Sequence, residues 1–371
     1  MRPAWAEVDL SAVAHNTASM AALVAPAGVL AVVKADGYGH GAVPVALAVL
    51  HAGASWLGVA LVEEGVTLRD AGIDAPVLVL SEPTPAAMEL AASFSLVPTV
   101  YSSAGVRSAA DAARGLGPAR QFPVHLKVDT GMHRVGARPE DAVSLAREIA
   151  DHPRLAFDGL YTHCAVADEP ADPFTWEQLV RFSGVRDALA AAGFAPRVVH
   201  AANSAGAIAH PQSRFDLVRI GIALYGIPPA PGLDGAVDLR AAMSLKATVS
   251  MVKQVAAGER ISYGLRYRFE RDSIVATVPI GYADGVRRRL GATGAEVLIR
   301  GRRRPIAGTV TMDQLTVDCG DDDTVRPGDE VVLIGEQGRE RITAGDWAGQ
   351  LDTVGYEIVC GIGPRVPRRY K

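Results

Sequence analysis

The sequence predicts an α/β chain: a (β/α)8 TIM-like barrel followed by a mostly β C-terminal domain. Two observations carry that reading. Eight apolar, β-rich runs alternate with helical stretches through the first two-thirds of the chain, and after a Pro/Gly-rich break the texture changes to short β-type runs. The eight runs are 29–34, 56–60, 76–80, 97–101, 123–128, 157–163, 197–201 and 216–220. Segments between them, such as 139–151 and 173–192, place Ala, Leu and Arg at helical spacing. Eight strand–helix units are what such a barrel requires. A doubly wound open sheet uses the same units and is the competing reading, since periodicity does not report closure. The count of eight favours the barrel.

The break is Ile227-Pro-Pro-Ala-Pro-Gly232, a composition typical of domain boundaries. Beyond it, runs 247–255, 274–280, 296–299, 309–317 and 330–334 are separated by Gly, Asp and Pro turns, and long helical patterns are scarce. The expected domains are therefore residues 1–240, a barrel, and 241–371, mostly β.

Composition narrows the function classes. Of 371 residues, 49% are hydrophobic and 21% charged, the balance of an ordinary globular protein rather than a disordered one. Lys plus Arg is 37 against 41 Asp plus Glu, a net charge of −4, which argues against bulk binding to nucleic acid or anionic membrane. Cys164, Cys319 and Cys360 lie far apart, so neither a disulfide framework nor a zinc knuckle is expected; three buried or idle thiols are. No HExxH or His-rich cluster argues for a metal. The longest apolar stretch, 21–33, contains Pro26 and Gly28 and is too short for a membrane span, while Glu7 and Asp9 stand where a signal peptide would be apolar. A soluble cytoplasmic protein is expected.

Reactive side chains collect where the predicted strands end, the end at which barrels of this type build active sites. Lys34 closes the first run, Arg134 lies just beyond the fifth, His163 ends the sixth, Asn203 and Ser204 follow the seventh, and Arg219 lies in the eighth. A lone lysine at a strand end is usually a solvated terminus. Inside a barrel mouth it is suited to bind a carbonyl cofactor covalently. The run Gly37-Tyr-Gly-His-Gly41 has neither dinucleotide-binding nor P-loop spacing, and its glycines are expected to turn the backbone tightly beside a ligand. His163 and Cys164 are not expected to form a nucleophile pair, because neighbours on a strand face opposite ways. Most of the arginines in the runs 287–289 and 302–304 read as solvated surface, and 321–323 as a turn.

Taken together, these motifs resemble the alanine racemase family of bacteria. The resemblance runs nearly end to end, through Val32-Val-Lys-Ala-Asp-Gly-Tyr-Gly-His-Gly41, Lys127-Val-Asp-Thr-Gly-Met-His-Arg-Val-Gly136, Thr162-His163, His200-Ala-Ala-Asn-Ser204 and Val218-Arg-Ile-Gly-Ile-Ala-Leu-Tyr-Gly226. It continues in Ser262-Tyr-Gly264, Gly281-Tyr-Ala-Asp-Gly285, Met312-Asp-Gln314, Tyr356-Glu357 and Arg365-Val-Pro-Arg368. It implies interconversion of L- and D-alanine, supplying D-alanine for peptidoglycan, by a homodimer that carries pyridoxal 5′-phosphate at sites between subunits. Lys34 would bind the cofactor and serve as one base, and Tyr263 of the partner subunit would be the other. Tyr38, Ser204, Gly221, Ile222 and Tyr356 would hold the phosphate, with Asn203 beside them. Arg219 would face the ring nitrogen, backed by His200, with His163 near the ring. Arg134 and Met312 would meet the substrate carboxylate, Lys127 and Asp313 would support them, and Tyr282, Asp168 and Arg288 would line the entrance.

The pattern is not followed everywhere. Thr309 stands where the family often has Arg, Asp36 where Asn is common, and Pro364 where Tyr or Ser is frequent; none removes a catalytic group. Lys127 matches a lysine that is carbamylated in some members. A broader-specificity racemase, a barrel-type decarboxylase and a non-catalytic cofactor carrier are the alternatives. Arg219 at the ring nitrogen and Tyr263 as second base argue against the decarboxylase, and the C-terminal domain with Tyr263 argues against the carrier.

Overall fold

A computed structural model describes residues 3–117 and 120–371, and these divide into two compact units. The first strand, β1 (Ala4–Val8), does not enter the barrel. The barrel unit comprises Ala12–Gly37 and Ala42–Arg240. Its strands are β2 (Gly28–Val32), β3 (Trp56–Val59), β4 (Val77–Val79), β5 (Val97–Val100), β6 (Phe122–Lys127), β7 (Leu155–Tyr161), β8 (Val198–His200) and β9 (Leu217–Ile220). They form one parallel sheet in the order β8-β7-β6-β5-β4-β3-β2-β9. Isolated backbone bonds draw the two ends together: Asp216 N–H donates to the Val199 carbonyl (3.0 Å) and Arg219 N–H to that of Ala202 (2.9 Å). The result is a nearly closed eight-stranded barrel, as predicted.

Helices cover the sheet for ordinary reasons. Ala142–Asp151 buries Ala142, Leu145, Ala146 and Ile149, one stripe at helical spacing. Burial of Leu145 and Ile149 contributes about 1.5–3 kcal/mol each. Thr84, Ser102 and Asn203 cap the helices that follow them, each accepting a backbone N–H.

Strands β2 to β4 carry apolar, buried residues, as a sheet covered on both faces should. The interior opposite is polar. Thr99, His125, Lys127, Tyr161, His200 and Arg219 are all buried, on β5 through β9. Tyr161 stacks on His200 at 4.5 Å, and its hydroxyl meets Thr99 (2.8 Å) and donates to the Leu80 carbonyl (3.0 Å). Room for His125 comes from Gly159, where a Cβ would lie 2.4 Å from the imidazole, beside a register shift between β6 and β7. Gly159→Ala is expected to cost about 1–3 kcal/mol through overpacking, read as a lower urea midpoint at unchanged slope.

The second unit joins β1 and residues 38–41 to Ala241–Lys371. Its strands are β10 (Met243–Thr248), β11 (Met251–Val255), β12 (Arg260–Ile261), β13 (Tyr267–Arg268), β14 (Ser273–Val278), β15 (Glu296–Ile299), β16 (Arg302–Pro305), β17 (Leu315–Asp318), β18 (Glu330–Gln337), β19 (Glu340–Ile342) and β20 (Arg368–Tyr370). One sheet runs β16-β15-β18-β10-β1-β20, with β19 on β18, and a smaller one runs β11-β14-β17. The assignment of residues 1–240 to the barrel therefore needs correcting at its start. β1 pairs antiparallel with β10 and parallel with β20, and Lys246 on β10 reaches Glu7 at 2.9 Å. Run 247–255 is two strands, split at Val249 and Ser250 because β10 pairs with β18 while β11 pairs with β14. In run 309–317 only the end is strand.

Candidate active site

The sequence-predicted residues divide between the units. On the barrel, β2 delivers the chain to Lys34, which is partly exposed. Ala35, Asp36 and Gly37 follow with φ of 51°, 51° and 61°, a left-handed turn that costs roughly 1–2 kcal/mol for each residue bearing a Cβ. Side chains hold it there: Glu64 accepts the N–H groups of Ala35 (2.6 Å) and Ala60 (2.8 Å), and Asp36 accepts that of Ala42 (2.8 Å). Asn could accept the last bond equally well, so Asp36 leaves the local design intact. A strained turn at a reactive lysine is typical of functional sites.

Arg219, on β9, is buried, and among the described residues no carboxylate pairs with it. Its Nη1 donates to His200 Nδ1 at 2.9 Å, and its Nη2 reaches His163 Nδ1 (3.0 Å) and the carbonyls of Thr162 and Ala201. Guanidinium only donates, so both imidazoles accept through Nδ1 and carry their proton on Nε2. Burial and the charge of Arg219 hold His163 and His200 well below the usual imidazole range, which keeps them neutral. Lys127 is pushed down to about 8 by burial and by Arg219 and Arg134. Lys127, Asp129, Met132, Arg134 and His163 line a shared recess. Ser204 is buried, and its hydroxyl accepts the Gly221 N–H at 2.9 Å, which brings together the loops after β8 and β9. Asn203 spends its side chain capping the helix Ser204–Ala209, and Ile222 opens a buried turn. Asp168 is exposed.

The Cys164 reading holds, though not for the reason given. Neither His163 nor Cys164 lies in a strand, since β7 ends at Tyr161. Cys164 packs instead with Ala167, Ala205 and Leu233. Cys319 is buried as well, and Cys360 is exposed.

In the second unit Tyr38 and Tyr356 lie with ring centres 6.0 Å apart. Gly39 and Gly41 do permit close approach, but to the chain's own C-terminal segment: a Cβ would meet the Val359 carbonyl at 2.5 Å and the Tyr370 hydroxyl at 2.0 Å. Tyr263 is 70% exposed, a large aromatic left to solvent in one chain. Its backbone is fixed by Thr309, whose hydroxyl donates to the Tyr263 carbonyl (2.9 Å) and whose own carbonyl accepts from Ser262 (2.6 Å). The departure at Thr309 thus has a local role. Met312 and Tyr282 are exposed, and Tyr282 N–H bonds the Thr311 carbonyl at 3.0 Å. Asp313 pairs with Arg365 at 2.6 Å. Arg288 is exposed, whereas Arg304 is largely buried against Asp322.

Sequence reading missed His125, Asp158 and Tyr161. A usable signal was present: His125 and Lys127, two residues apart in a strand, put polar groups on one face where apolar ones are usual. No helix among the described residues is long and apolar enough to cross a membrane.

This is a barrel with a buried arginine, two neutral imidazoles, a mouth lysine and an appended β domain. The alanine racemase N-terminal domain profile matches residues 8–229, and the C-terminal domain profile matches 242–370. The chain is 51% identical to an alanine racemase of Symbiobacterium thermophilum, covering all of this chain and 97% of that one, and 47% identical to one of Thermobifida fusca (99% and 98%). Its structure is similar to that of alanine racemase from D-cycloserine-producing Streptomyces lavendulae, with a TM-score of 0.94 and 39% identity over all of this chain and 97% of that one. It also resembles the Bacillus anthracis alanine racemase solved with bound L-Ala-P, with a TM-score of 0.93 and 38% identity over 100% and 95% of the two chains. The chain belongs to the alanine racemase family, whose members are isomerases.

Proposed function

We propose that this protein interconverts L- and D-alanine with pyridoxal 5′-phosphate, by two bases contributed by two subunits of a homodimer in the cytoplasm, and that its D-alanine serves peptidoglycan. The observation that carries the reading is Arg219: a buried, donor-only cation, with no carboxylate partner among the described residues, beside two imidazoles that its own bonds keep neutral. The groups present fit the cofactor. Lys34 supplies the amine, Arg219 a donor for the pyridine nitrogen, and Ser204 with the backbone at Gly221 and Ile222 a polar seat for phosphate. Asn203, Tyr38 and Tyr356 complete the cofactor-binding set.

When bound, pyridoxal 5′-phosphate withdraws electrons from the α-carbon and acidifies its proton. Lys34 takes or returns that proton on one face, and Tyr263 of the partner subunit does so on the other. His163, which accepts from Arg219 at Nδ1, keeps its proton on Nε2 as a hydrogen-bond donor. Arg134 and Met312 receive the substrate carboxylate, with Lys127 and Asp313 in support. Lys127, pushed down to about 8, keeps a reactive neutral fraction near neutral pH, the form that adds carbon dioxide; a carbamate there would provide an anion among the cations. Tyr282, Asp168 and Arg288 stand at the entrance.

The deciding assay is L-alanine with the purified protein and cofactor, followed for D-alanine and for carbon dioxide. D-alanine without carbon dioxide is expected; carbon dioxide release would make it a decarboxylase. Arg219→Glu is expected to slow racemisation by about 10²-fold or more and to raise pyruvate formation, because a carboxylate can keep the ring nitrogen protonated. Wild-type rates in that variant would refute the role given to Arg219.

A further inference from the structure

The buried arginine is the near end of a longer chain. Arg219 Nη1 lies 2.9 Å from His200 Nδ1, His200 Nε2 lies 3.0 Å from His125 Nδ1, and His125 Nε2 lies 3.4 Å from Asp158 Oδ2. Asp158 is clamped from outside by Arg197, Nε to Oδ1 at 2.8 Å and Nη2 to Oδ2 at 2.9 Å. Both imidazoles are fully buried, Asp158 is largely so, and Arg197 is exposed. The Asp158 end opens on a cavity of about 560 Å³ lined by Trp56, Pro76, Val97 and Pro123, which lie at or beside strand starts, whereas Arg219 lies among loops that follow strand ends.

The two ends dictate every proton between them. Arg219 can only donate and ionised Asp158 can only accept. His200 must therefore accept at Nδ1 and donate from Nε2, and His125 must do the same. No other arrangement of neutral rings satisfies all three contacts. Burial works to raise Asp158, yet the bonds from His125 and Arg197 hold it at about 2, so the acceptor end is permanent near neutrality. Orientation is fixed as well, because His125 is wedged against Gly159 and His200 is stacked on Tyr161.

We propose that Asp158 is a positioning residue for Arg219, acting through His125 and His200 as a hydrogen-bonded chain whose proton placement is set by its two ends. Asp158 supplies the carboxylate that Arg219 lacks at contact distance, two imidazoles away. The catalytic consequence rests on the proposed function, in which Arg219 meets the cofactor ring; the proton placement does not.

The test uses the whole protein with 15N-labelled histidine. Imidazole nitrogen shifts, read without added cofactor, are expected to show Nε2–H and bare Nδ1 for both His125 and His200. Nδ1–H on either ring would overturn the proposal. Asp158→Leu leaves His125 Nε2–H without an acceptor, so its signals should move to mixed tautomers. With cofactor and L-alanine present, kcat should fall on the order of 10- to 100-fold at little-changed KM, with an altered spectrum of the bound cofactor. Asp158→Asn keeps an acceptor in place and should restore the wild-type tautomers, with kcat reduced less than about fivefold. Wild-type tautomers in Asp158→Leu alongside lost activity would show a merely structural role and sink the proposal, as would unchanged kcat. Should Asp158→Leu fail to fold by circular dichroism, the wild-type spectrum and Asp158→Asn still decide.

Discussion

Lys34→Ala is expected to lower racemisation by at least about 10³-fold, since one residue is then asked to forgo both covalent attachment and a catalytic base. The sequence makes the attribution sharp. It contains five lysines, of which only Lys34 and Lys127 lie in the barrel unit. Lys127 is a serious competitor on reactivity, because burial and neighbouring cations push it down to about 8. Geometry separates the two. Lys127 is buried, on β6, with its amine 5.4 Å over the Tyr161 ring, whereas Lys34 is partly exposed and leads into a left-handed turn held by Glu64 and Asp36. Borohydride reduction of the cofactor-loaded enzyme, followed by tryptic mapping, should therefore block cleavage after Lys34 and leave Lys127 cleavable. The Lys34→Ala protein should carry no reduced adduct at all. Label on Lys127 would reassign the amine.

How legible this was in the sequence differs from element to element. The barrel could be read because eight buried strands each leave a short apolar run with helical spacing between, and the motif residues Lys34, Arg134, His163, Ser204 and Arg219 sit in or just past those runs. β1 could not: it lies beside Ala12–Gly37 in sequence but completes a sheet whose other strands begin at Met243, and pairing over such a separation leaves no local trace. The short strands β12, β13 and β16 are Arg-rich and carry little apolar pattern to see. Conversely, run 247–255 looked continuous because both halves are strand; only its partners reveal the break.

The site shows the same division. His200 was placed behind Arg219 because a motif contains it, and the two are bonded at 2.9 Å. His125 and Asp158 belong to no motif, and their meaning comes from a hydrogen-bonded sequence of contacts spanning three strands. The glycines at 39 and 41 were expected beside a ligand, yet what crowds them is Val359 and Tyr370. A glycine reports that something comes close to the backbone, not what it is. Thr309 was noted only as a departure, and its bond to the Tyr263 carbonyl gives that position a structural reason.

Mixing Lys34→Ala with Tyr263→Phe subunits is expected to restore activity that neither variant has alone. Each homodimer lacks one base in both sites and should be nearly inactive toward one or both enantiomers. If each site takes Lys34 from one chain and Tyr263 from the other, a mixed dimer holds one site lacking both bases and one with both intact. Random pairing makes half of the dimers mixed, and half of their sites are whole, so recovery should approach roughly a quarter of wild type by two-fold symmetry counting. The exposure of Tyr263 gives the test its physical motive: a 70% exposed tyrosine, on a backbone locked by Ser262 and Thr309, is held firmly yet left mostly to solvent in one chain. Subunits tagged with different masses report exchange independently of activity. Were both bases supplied by a single chain, every site in every mixed dimer would still lack one. Complete exchange with no recovery would then put Lys34 and Tyr263 of one chain in the same site and overturn the shared-site arrangement.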